Sequence, residues 1–89
     1  MSKVYIALQD NDESRYIVEA IEETNEDCTI IHMPAMVRVE REHKLVISRE
    51  AVEEKMGRDW NIQELHLNLV TIGGNVDEDD DRLILEWKY

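Results

Sequence analysis

The sequence predicts an α+β fold in which two helices pack on mixed, largely antiparallel sheets. Two segments place apolar residues at the spacing of an amphipathic helix, and several shorter runs are rich in strand-forming residues. The 89 residues are enough for one domain and too few for two. We therefore expect a single domain over residues 1–89, with elements in the order β-α-β-β-β-α-β-β.

The N-terminal part of the chain predicts a strand, a helix and a second strand. Residues 4–8 are rich in strand formers, and the polar residues 9–12 can form a turn and cap a helix. Between positions 13 and 24, apolar residues recur at helical spacing with glutamates on the other side, which predicts an amphipathic helix. Residues 28–32 predict the next strand.

The middle of the chain predicts two further strands. Pro34 interrupts the sequence, because it cannot donate a hydrogen bond inside a sheet. Residues 36–40 then alternate between apolar and polar, and residues 44–47 form another apolar run. We expect residues 41–43 to form a hairpin turn between these two strands.

A second helix and the last strands are predicted from residue 48 onward. Ser48 is a suitable N-cap, and Gly57 suits the left-handed position that ends a helix. A further alternating stretch that predicts a strand consists of Ile62, Leu65, Leu67 and Leu69. We expect residues 71–76 to be flexible or bulged, residues 77–81 to form a solvated acidic turn, and residues 83–87 to form the closing strand.

The charge of the chain restricts its partners. With 21 acidic and 10 basic residues, the formal net charge is -11. Nucleic acids and anionic membranes bind clusters of Lys and Arg, and the sequence has no such cluster, so both are poor candidates. The charge instead favours association with a basic surface on another macromolecule.

Cysteine usage and hydropathy indicate the cytoplasm. Cys28 is the single cysteine, so no internal disulfide can form, which is typical of a reducing compartment. The N-terminus lacks the hydrophobic stretch of a signal peptide. No apolar run approaches the roughly 20 residues of a membrane span.

No arrangement of residues predicts catalysis. Cys28 and His32 would lie on one strand about 13 Å apart, too far for a thiolate–imidazole pair, so Cys28 is better explained as a small buried hydrophobe. The sequence has no Gly-x-Ser-x-Gly motif. The isolated Gly73–Gly74 pair has neither the following helix nor the Lys of a phosphate-binding loop.

Metal and cofactor sites are not predicted either. Glu40 and His43 have the spacing of di-iron ligands, but such sites need two copies on helices and further carboxylates. Residues 77–81 resemble the start of a calcium loop, yet Arg82 and Lys88 stand where that loop requires Gly and Glu. A single cysteine rules out a cysteine-ligated iron–sulfur cluster.

Five segments, spread over nearly the whole chain, form a pattern in a fixed order. They are IVEAIEETN at 17–25, VRVE at 37–40, LVISRE at 45–50, VEEKMGR at 52–58 and QELHLNL at 63–69. Together they resemble the regulatory, or effector, proteins of bacterial multicomponent di-iron monooxygenases. Within that family, the pattern is most similar to the regulatory proteins of phenol hydroxylases.

The resemblance implies a cofactor-free regulatory protein that is not itself an enzyme. Such a protein binds the hydroxylase component of a phenol (aromatic) monooxygenase near its di-iron site. There it would couple NADH-driven electron transfer to hydroxylation. With no redox group of its own, it would act only by binding conformational states of the hydroxylase differently.

Two segments of irregular backbone carry apolar residues that are suited to docking. They are residues 33–36 and residues 69–75, and we add the entrance of the first helix at Asn11. Methionines suit adaptable binding surfaces, although they could equally fill the core. The expected partner-binding residues are Asn11, Met33, Pro34, Met36, Leu69, Val70, Thr71, Ile72, Gly73, Gly74 and Asn75.

Two other functions are compatible with the sequence. A small-molecule-sensing regulatory domain would have a ligand pocket and form a tight dimer. An acidic mimic of nucleic acid would carry its carboxylates in a regular stripe. Here the carboxylates are scattered between the two helices and residues 77–81, which weakens the second alternative.

Overall fold

The computed structural model describes residues 3–87 and has an α+β architecture. Its elements are β1 (Lys3–Gln9), α1 (Asp12–Thr24), β2 (Thr29–Met33), β3 (Met36–Glu42), β4 (Lys44–Ser48), α2 (Arg49–Met56), a 3-10 turn (Ile62–Glu64), α3 (Leu65–Asn68), β5 (Leu69–Gly73), β6 (Asn75–Glu78) and β7 (Arg82–Glu86). The predicted fold class is confirmed. The short α3 and the 3-10 turn are additions that the sequence pattern did not indicate.

The described strands form two antiparallel sheets. One sheet has the order β2-β3-β1-β5, and the other has the order β4-β7-β6. Alternate residues of β1 (Val4, Ile6 and Leu8) are fully buried and share one core cluster with Ile17 and Ile21 of α1. This alternation follows from the period of a strand, and it leaves the other face of β1 pointing away from the core.

Both helices predicted from the sequence are present, with the predicted caps. Asn11 Oδ1 accepts a hydrogen bond from Ser14 N at 2.9 Å, and Ser48 Oγ accepts one from Ala51 N at 3.3 Å. Gly57 has a φ of 74°, the left-handed conformation that ends α2. Within residues 3–87, no helix combines the length and apolar character needed to cross a bilayer.

The hairpin predicted at residues 41–43 is wrong. β3 lies between β2 and β1, so both of its edges are paired, and β4 joins the second sheet instead. The chain turns from one sheet to the other at His43, which has a φ of 68°. Arg41 holds this crossing, because its Nε donates to Glu26 O and its Nη1 to Lys44 O, each at 2.7 Å.

The strand predicted from Ile62 to Leu69 is wrong for most of its length, because β5 begins only at Leu69. Ile62 and Leu65 are both buried, since a helical turn places residues three apart on one side. Leu67 therefore points away from the core and is 75% exposed. A short apolar run does not distinguish a strand period from a helical one.

The acidic turn after β6 is organised by its own backbone. Residues 77–81 are exposed, and Asp79 Oδ1 accepts hydrogen bonds from Asp81 N at 2.8 Å and Arg82 N at 2.9 Å. These hydrogen bonds lower the pKa of the Asp79 carboxyl from its usual value. Arg49 Nη2 lies 3.1 Å from Asp81 Oδ1, which ties the turn to the start of α2. The predicted solvated turn is confirmed, although its first two residues belong to β6.

Candidate docking surface

Two uncharged stretches interrupt this chain of 21 acidic and 10 basic residues. Residues 28–37 and 65–76 contain no Asp, Glu, Lys or Arg. The first stretch includes β2 and the second includes β5, which are the two edge strands of the four-stranded sheet. The fold therefore collects neutral surface at both edges of one sheet, while carboxylates occupy α1, α2 and the acidic turn.

The strand register shows which side chains share the outer face of this sheet. Tyr5 and Ala7 alternate with the core residues of β1 and so lie on its other side. Ala7 pairs with Arg38 on one side and Thr71 on the other, and Arg38 pairs with Ile31. We define the outer sheet face by Lys3, Tyr5, Ala7, Ile31, Met33, Met36, Arg38, Glu40, Glu42, Thr71 and Gly73.

Charged groups in the middle of the outer sheet face are paired. Arg38 Cζ lies 3.9 Å from the centre of the Tyr5 ring, and Arg38 Nε lies 2.7 Å from Glu40 Oε2. Lys3 Nζ lies 3.8 Å from the other oxygen of Glu40. Lys3 also stands opposite Glu42 in the strand register. These four charged residues carry two positive and two negative charges, so this part of the surface presents little net charge to a partner.

One end of the four-stranded sheet brings together several of the predicted docking residues from separate segments. The backbone N–H of Asp10 donates to Ala35 O at 3.2 Å, which joins the entrance of α1 to the turn between β2 and β3. Asn11 Nδ2 donates to Asn68 Oδ1 at 2.6 Å, directly before β5. Met33 and Met36 pair at the same end. The predicted set around Asn11 is therefore contiguous at this end.

Asn68 acts as a clamp between α1 and β5. It is 7% exposed, and besides accepting from Asn11 it donates from Nδ2 to Glu13 Oε2 at 2.9 Å. Arg58 Nη2 donates to the other oxygen of Glu13 at 3.2 Å. Because both polar groups of the Asn11 side chain are used inside the protein, Asn11 positions the surface rather than offering free hydrogen bonds.

We expect Asn68→Ala to lower the free energy of unfolding by about 1–2 kcal/mol, because the substitution leaves the Asn11 amide without its acceptor. Urea denaturation followed by circular dichroism measures the change. Asn75→Ala is the control, since Asn75 is exposed. Equal stabilities for the two variants would contradict the clamp.

The β5 segment divides into inner and outer residues. Leu69 and Ile72 pack against the core cluster and are only partly buried. A register shift between Ala7 and Leu8 leaves Val70 as the extra residue of a bulge, where it is 45% exposed. Thr71 is also exposed. The bulge turns Val70 outward. It lies one residue before the segment 71–76 that the sequence predicted to be flexible or bulged. That prediction is wrong, because residues 71–73 complete β5 and residues 75–76 begin β6.

The remaining predicted residues connect the two sheets. Gly73 lies beneath the Tyr5 ring, and Gly74 has a φ of 133°, a backbone conformation that favours glycine. Asn75 follows as the exposed first residue of β6. The methionines divide as well, because Met33 is 39% exposed whereas Met56 packs against the core cluster.

Leu67 was missed by the sequence reasoning. It is the most exposed of the large apolar residues between residues 3 and 87, at 75%, and it lies one residue before the Asn68 clamp. The pattern assigned Leu67 to a strand, so its orientation was not apparent. Its place inside the uncharged stretch 65–76 was the signal that could have identified it.

Cys28 occupies an unreactive setting. Its side chain is half-buried, and Sγ donates to Asn25 O at 3.5 Å. Burial raises the pKa of the Cys28 thiol, so little of it is thiolate at neutral pH. His32, which the sequence reasoning considered as a partner, is exposed on β2.

A polar surface cleft beside α2 offers little to a small ligand. One cleft of about 440 Å³ is lined by Arg49, Glu53, Asp59, Trp60, Asn61 and Glu64. Small-molecule sites are predominantly apolar, so this lining does not favour the small-molecule-sensing alternative. Over residues 3–87, no group of three or more His, Cys, Asp or Glu residues is placed to hold a metal ion.

The chain is similar to regulatory proteins of known function. The stimulatory component DmpM of phenol 2-monooxygenase from Pseudomonas sp. (strain CF600) is 59% identical over 87 residues, which is 98% of this chain and 97% of that protein. A chain in a structure of a phenol hydroxylase–regulatory protein complex is 56% identical with a TM-score of 0.92, covering 97% of this chain and 99% of that chain. These relatives are regulatory rather than catalytic components.

A more distant structure shares the fold. Regulatory protein B of soluble methane monooxygenase has a TM-score of 0.77 at 15% identity, covering 99% of this chain and 67% of that chain. The model of the MmoB/DmpM family matches residues 2–86. The resemblance seen in the sequence is confirmed, and the chain belongs to the MmoB/DmpM family.

Proposed function

We propose that this protein is the regulatory component of a multicomponent phenol or related aromatic monooxygenase. It binds the hydroxylase component near the di-iron site and couples NADH-driven electron transfer to hydroxylation. It performs no chemical step itself. The proposal places the protein in the cytoplasm, where NADH is available.

One observation carries the proposal: the backbone matches, over nearly its whole length, a regulatory protein from a phenol hydroxylase complex. The match has 56% identity and a TM-score of 0.92, and it covers 97% of this chain. The outer sheet face adds a surface that presents little net charge to a partner, because its charged groups are paired with one another.

The predicted partner-binding residues fall into two groups: those that contact the hydroxylase and those that support the contacting surface from within. We assign direct contact with the hydroxylase to Met33, Pro34, Met36, Val70, Thr71 and Asn75. We assign support of that surface from within to Asn11, Leu69, Ile72, Gly73 and Gly74. This division follows exposure, because a buried side chain contributes to binding mainly by positioning its neighbours. The half-buried Met36 is placed with the contact residues because it pairs with the exposed Met33 across the strands.

Binding alone is sufficient for regulation. If the hydroxylase exists in states that differ in access to its metal site, a partner that prefers one state shifts the equilibrium by the difference in affinity. A shift of about 1.4 kcal/mol changes the population ratio tenfold. The formal net charge of -11 would speed encounter with a basic surface, so association should slow as salt is added.

The test is a reconstituted reaction with the purified hydroxylase, its reductase, NADH and phenol. Adding this protein should raise the amount of catechol formed per NADH consumed, up to saturation. Met33→Glu places a charge on the exposed apolar docking end and should weaken this stimulation about tenfold or more. Product is measured by chromatography and NADH by absorbance.

Val76→Glu is the control, because Val76 is similarly exposed but lies on β6 of the other sheet. It should leave the stimulation unchanged. If the unmodified protein alters neither product yield nor NADH consumption, the proposed function is wrong. If Met33→Glu behaves like Val76→Glu, the turn between β2 and β3 is not part of the contact.

A further inference from the structure

Leu67 is exposed, whereas Leu65 and Asn68 close to it in the chain are buried. It is 75% exposed, whereas Leu65 is fully buried and Asn68 is 7% exposed. An exposed leucine on a mobile loop would mean little, since single apolar residues are common on surfaces. Here, however, the residues around Leu67 are anchored in the protein.

Three attachments fix the backbone that carries Leu67. Leu65 belongs to the core cluster, and Asn68 is hydrogen-bonded to Asn11 and Glu13 of the α1 region. On the other side, His66 Nε2 lies 2.7 Å from Glu78 Oε1 of β6. Leu67 is therefore presented on a fixed backbone, so little backbone entropy is lost when a partner covers it.

Val70 adds a second exposed apolar side chain three residues further on. The β-bulge turns it outward at 45% exposure. Both residues lie in the uncharged stretch 65–76. The nearest elements carry three carboxylates, those of Glu13, Glu64 and Glu78, against one arginine, Arg58, which pairs with Glu13 and Glu64. The carboxylates outnumber the arginine, so the border of the apolar pair keeps a net negative charge.

We propose that Leu67 and Val70 form an anchor that fills an apolar recess on the hydroxylase component, and that basic groups rim this recess. This inference rests on the proposed function. The anchor adjoins Thr71 of β5, to which contact with the hydroxylase has been assigned. Because the bordering carboxylates attract basic groups, they favour a partner whose surface is positively charged around the recess.

A second copy of this chain is a poor occupant. It would bring its own carboxylates against those beside the anchor, and each copy carries a formal net charge of -11. Basic groups on a different protein would instead form ion pairs with the same carboxylates. Buried aliphatic anchors with a polar rim are the arrangement in which a few residues supply most of the binding energy.

Affinity for the purified di-iron hydroxylase tests the anchor. By titration calorimetry, Leu67→Ser should raise the Kd about tenfold or more, and Val70→Ser should raise it several-fold, about 3–10 times. Leu67→Met should bind as the unmodified protein does, because it keeps the apolar volume. Thermal unfolding of the three variants should be unchanged, since the replaced side chains lie largely outside the core.

Val76→Ser is a matched control, because Val76 is 47% exposed and Val70 is 45% exposed. The same substitution on β6 should leave the Kd unchanged. If the unmodified protein binds but Leu67→Ser binds equally well, the anchor is refuted and the proposed function stands. Equal losses for Val70→Ser and Val76→Ser refute it too. If the unmodified protein does not bind the hydroxylase, both proposals fail.

Discussion

Replacing Asn25 with alanine is expected to lower the free energy of unfolding by about 3 kcal/mol. Asn25 is 5% exposed and follows the last turn of α1. Its Nδ2 donates to Ile21 O at 2.9 Å and to Val46 O at 2.8 Å, and its Oδ1 accepts from Val46 N at 3.0 Å. Alanine removes these hydrogen bonds together.

The cost is large because the Asn25 side chain makes the hydrogen bonds to β4 that a neighbouring strand would otherwise make. β4 is an edge strand of the three-stranded sheet, and Val46 turns its N–H and C=O toward Asn25. The side-chain amide offers one donor and one acceptor, as a backbone peptide would. Without it, backbone groups that are partly shielded from water lose their partners, at about 1–3 kcal/mol each for fully buried groups.

Asn25→Asp removes the hydrogen-bond donor of the side chain while keeping its shape. An ionised carboxylate cannot donate, and it would face the carbonyl oxygens of Ile21 and Val46. That environment favours the protonated acid, so the pKa of the introduced carboxyl is raised in the folded state. The variant should therefore be strongly destabilised at neutral pH, and it should recover part of the loss as the acid becomes protonated at low pH.

Denaturant unfolding at several pH values measures these effects, with Asn75→Ala and Asn75→Asp as exposed controls. The controls should shift the midpoint little. A loss for Asn25→Ala no greater than that for Asn75→Ala would show that water replaces the amide at β4 without cost. That result would show that Asn25 does not stabilise the edge of the three-stranded sheet.

Gly73→Ala is expected to lower the free energy of unfolding by about 2 kcal/mol. A Cβ at this position would lie 2.6 Å from Cδ1 and Cζ of Tyr5, closer than van der Waals contact allows. The ring cannot withdraw freely, because Arg38 stacks on it at 3.9 Å and is itself paired with Glu40. The conflict is steric, since Gly73 is not among the residues with positive φ.

A double-mutant cycle with Tyr5→Ala identifies this cause. Removing the ring should make Gly73→Ala nearly neutral, so the two losses should be less than additive by about 1–2 kcal/mol. Gly57→Ala is the matched control. Gly57 has open space around it and a φ of 74°, so alanine there costs about 1 kcal/mol through the backbone alone, with no rescue by Tyr5→Ala. Additive losses at Gly73 would exclude the ring as the cause.

The sequence by itself determined the two longer helices, α1 and α2, the approximate position of most strands and the neutral segments. Asn11, Ser48 and Gly57 act within one or two turns of their own helices, so their effects can be read locally. The uncharged stretches 28–37 and 65–76 are likewise a property of composition. Family membership could also be recognised from the sequence, because it depends on the order of residues along the chain.

Only the tertiary structure decided how the strands are shared between two sheets and which apolar residues face outward. β4 leaves the first sheet because β3 is already paired on both edges, and no local signal reports whether an edge is free. Leu67 is exposed because its neighbours Leu65 and Asn68 are fixed by contacts distant in sequence. Pairing and burial depend on partners far along the chain, whereas caps and periodicity do not.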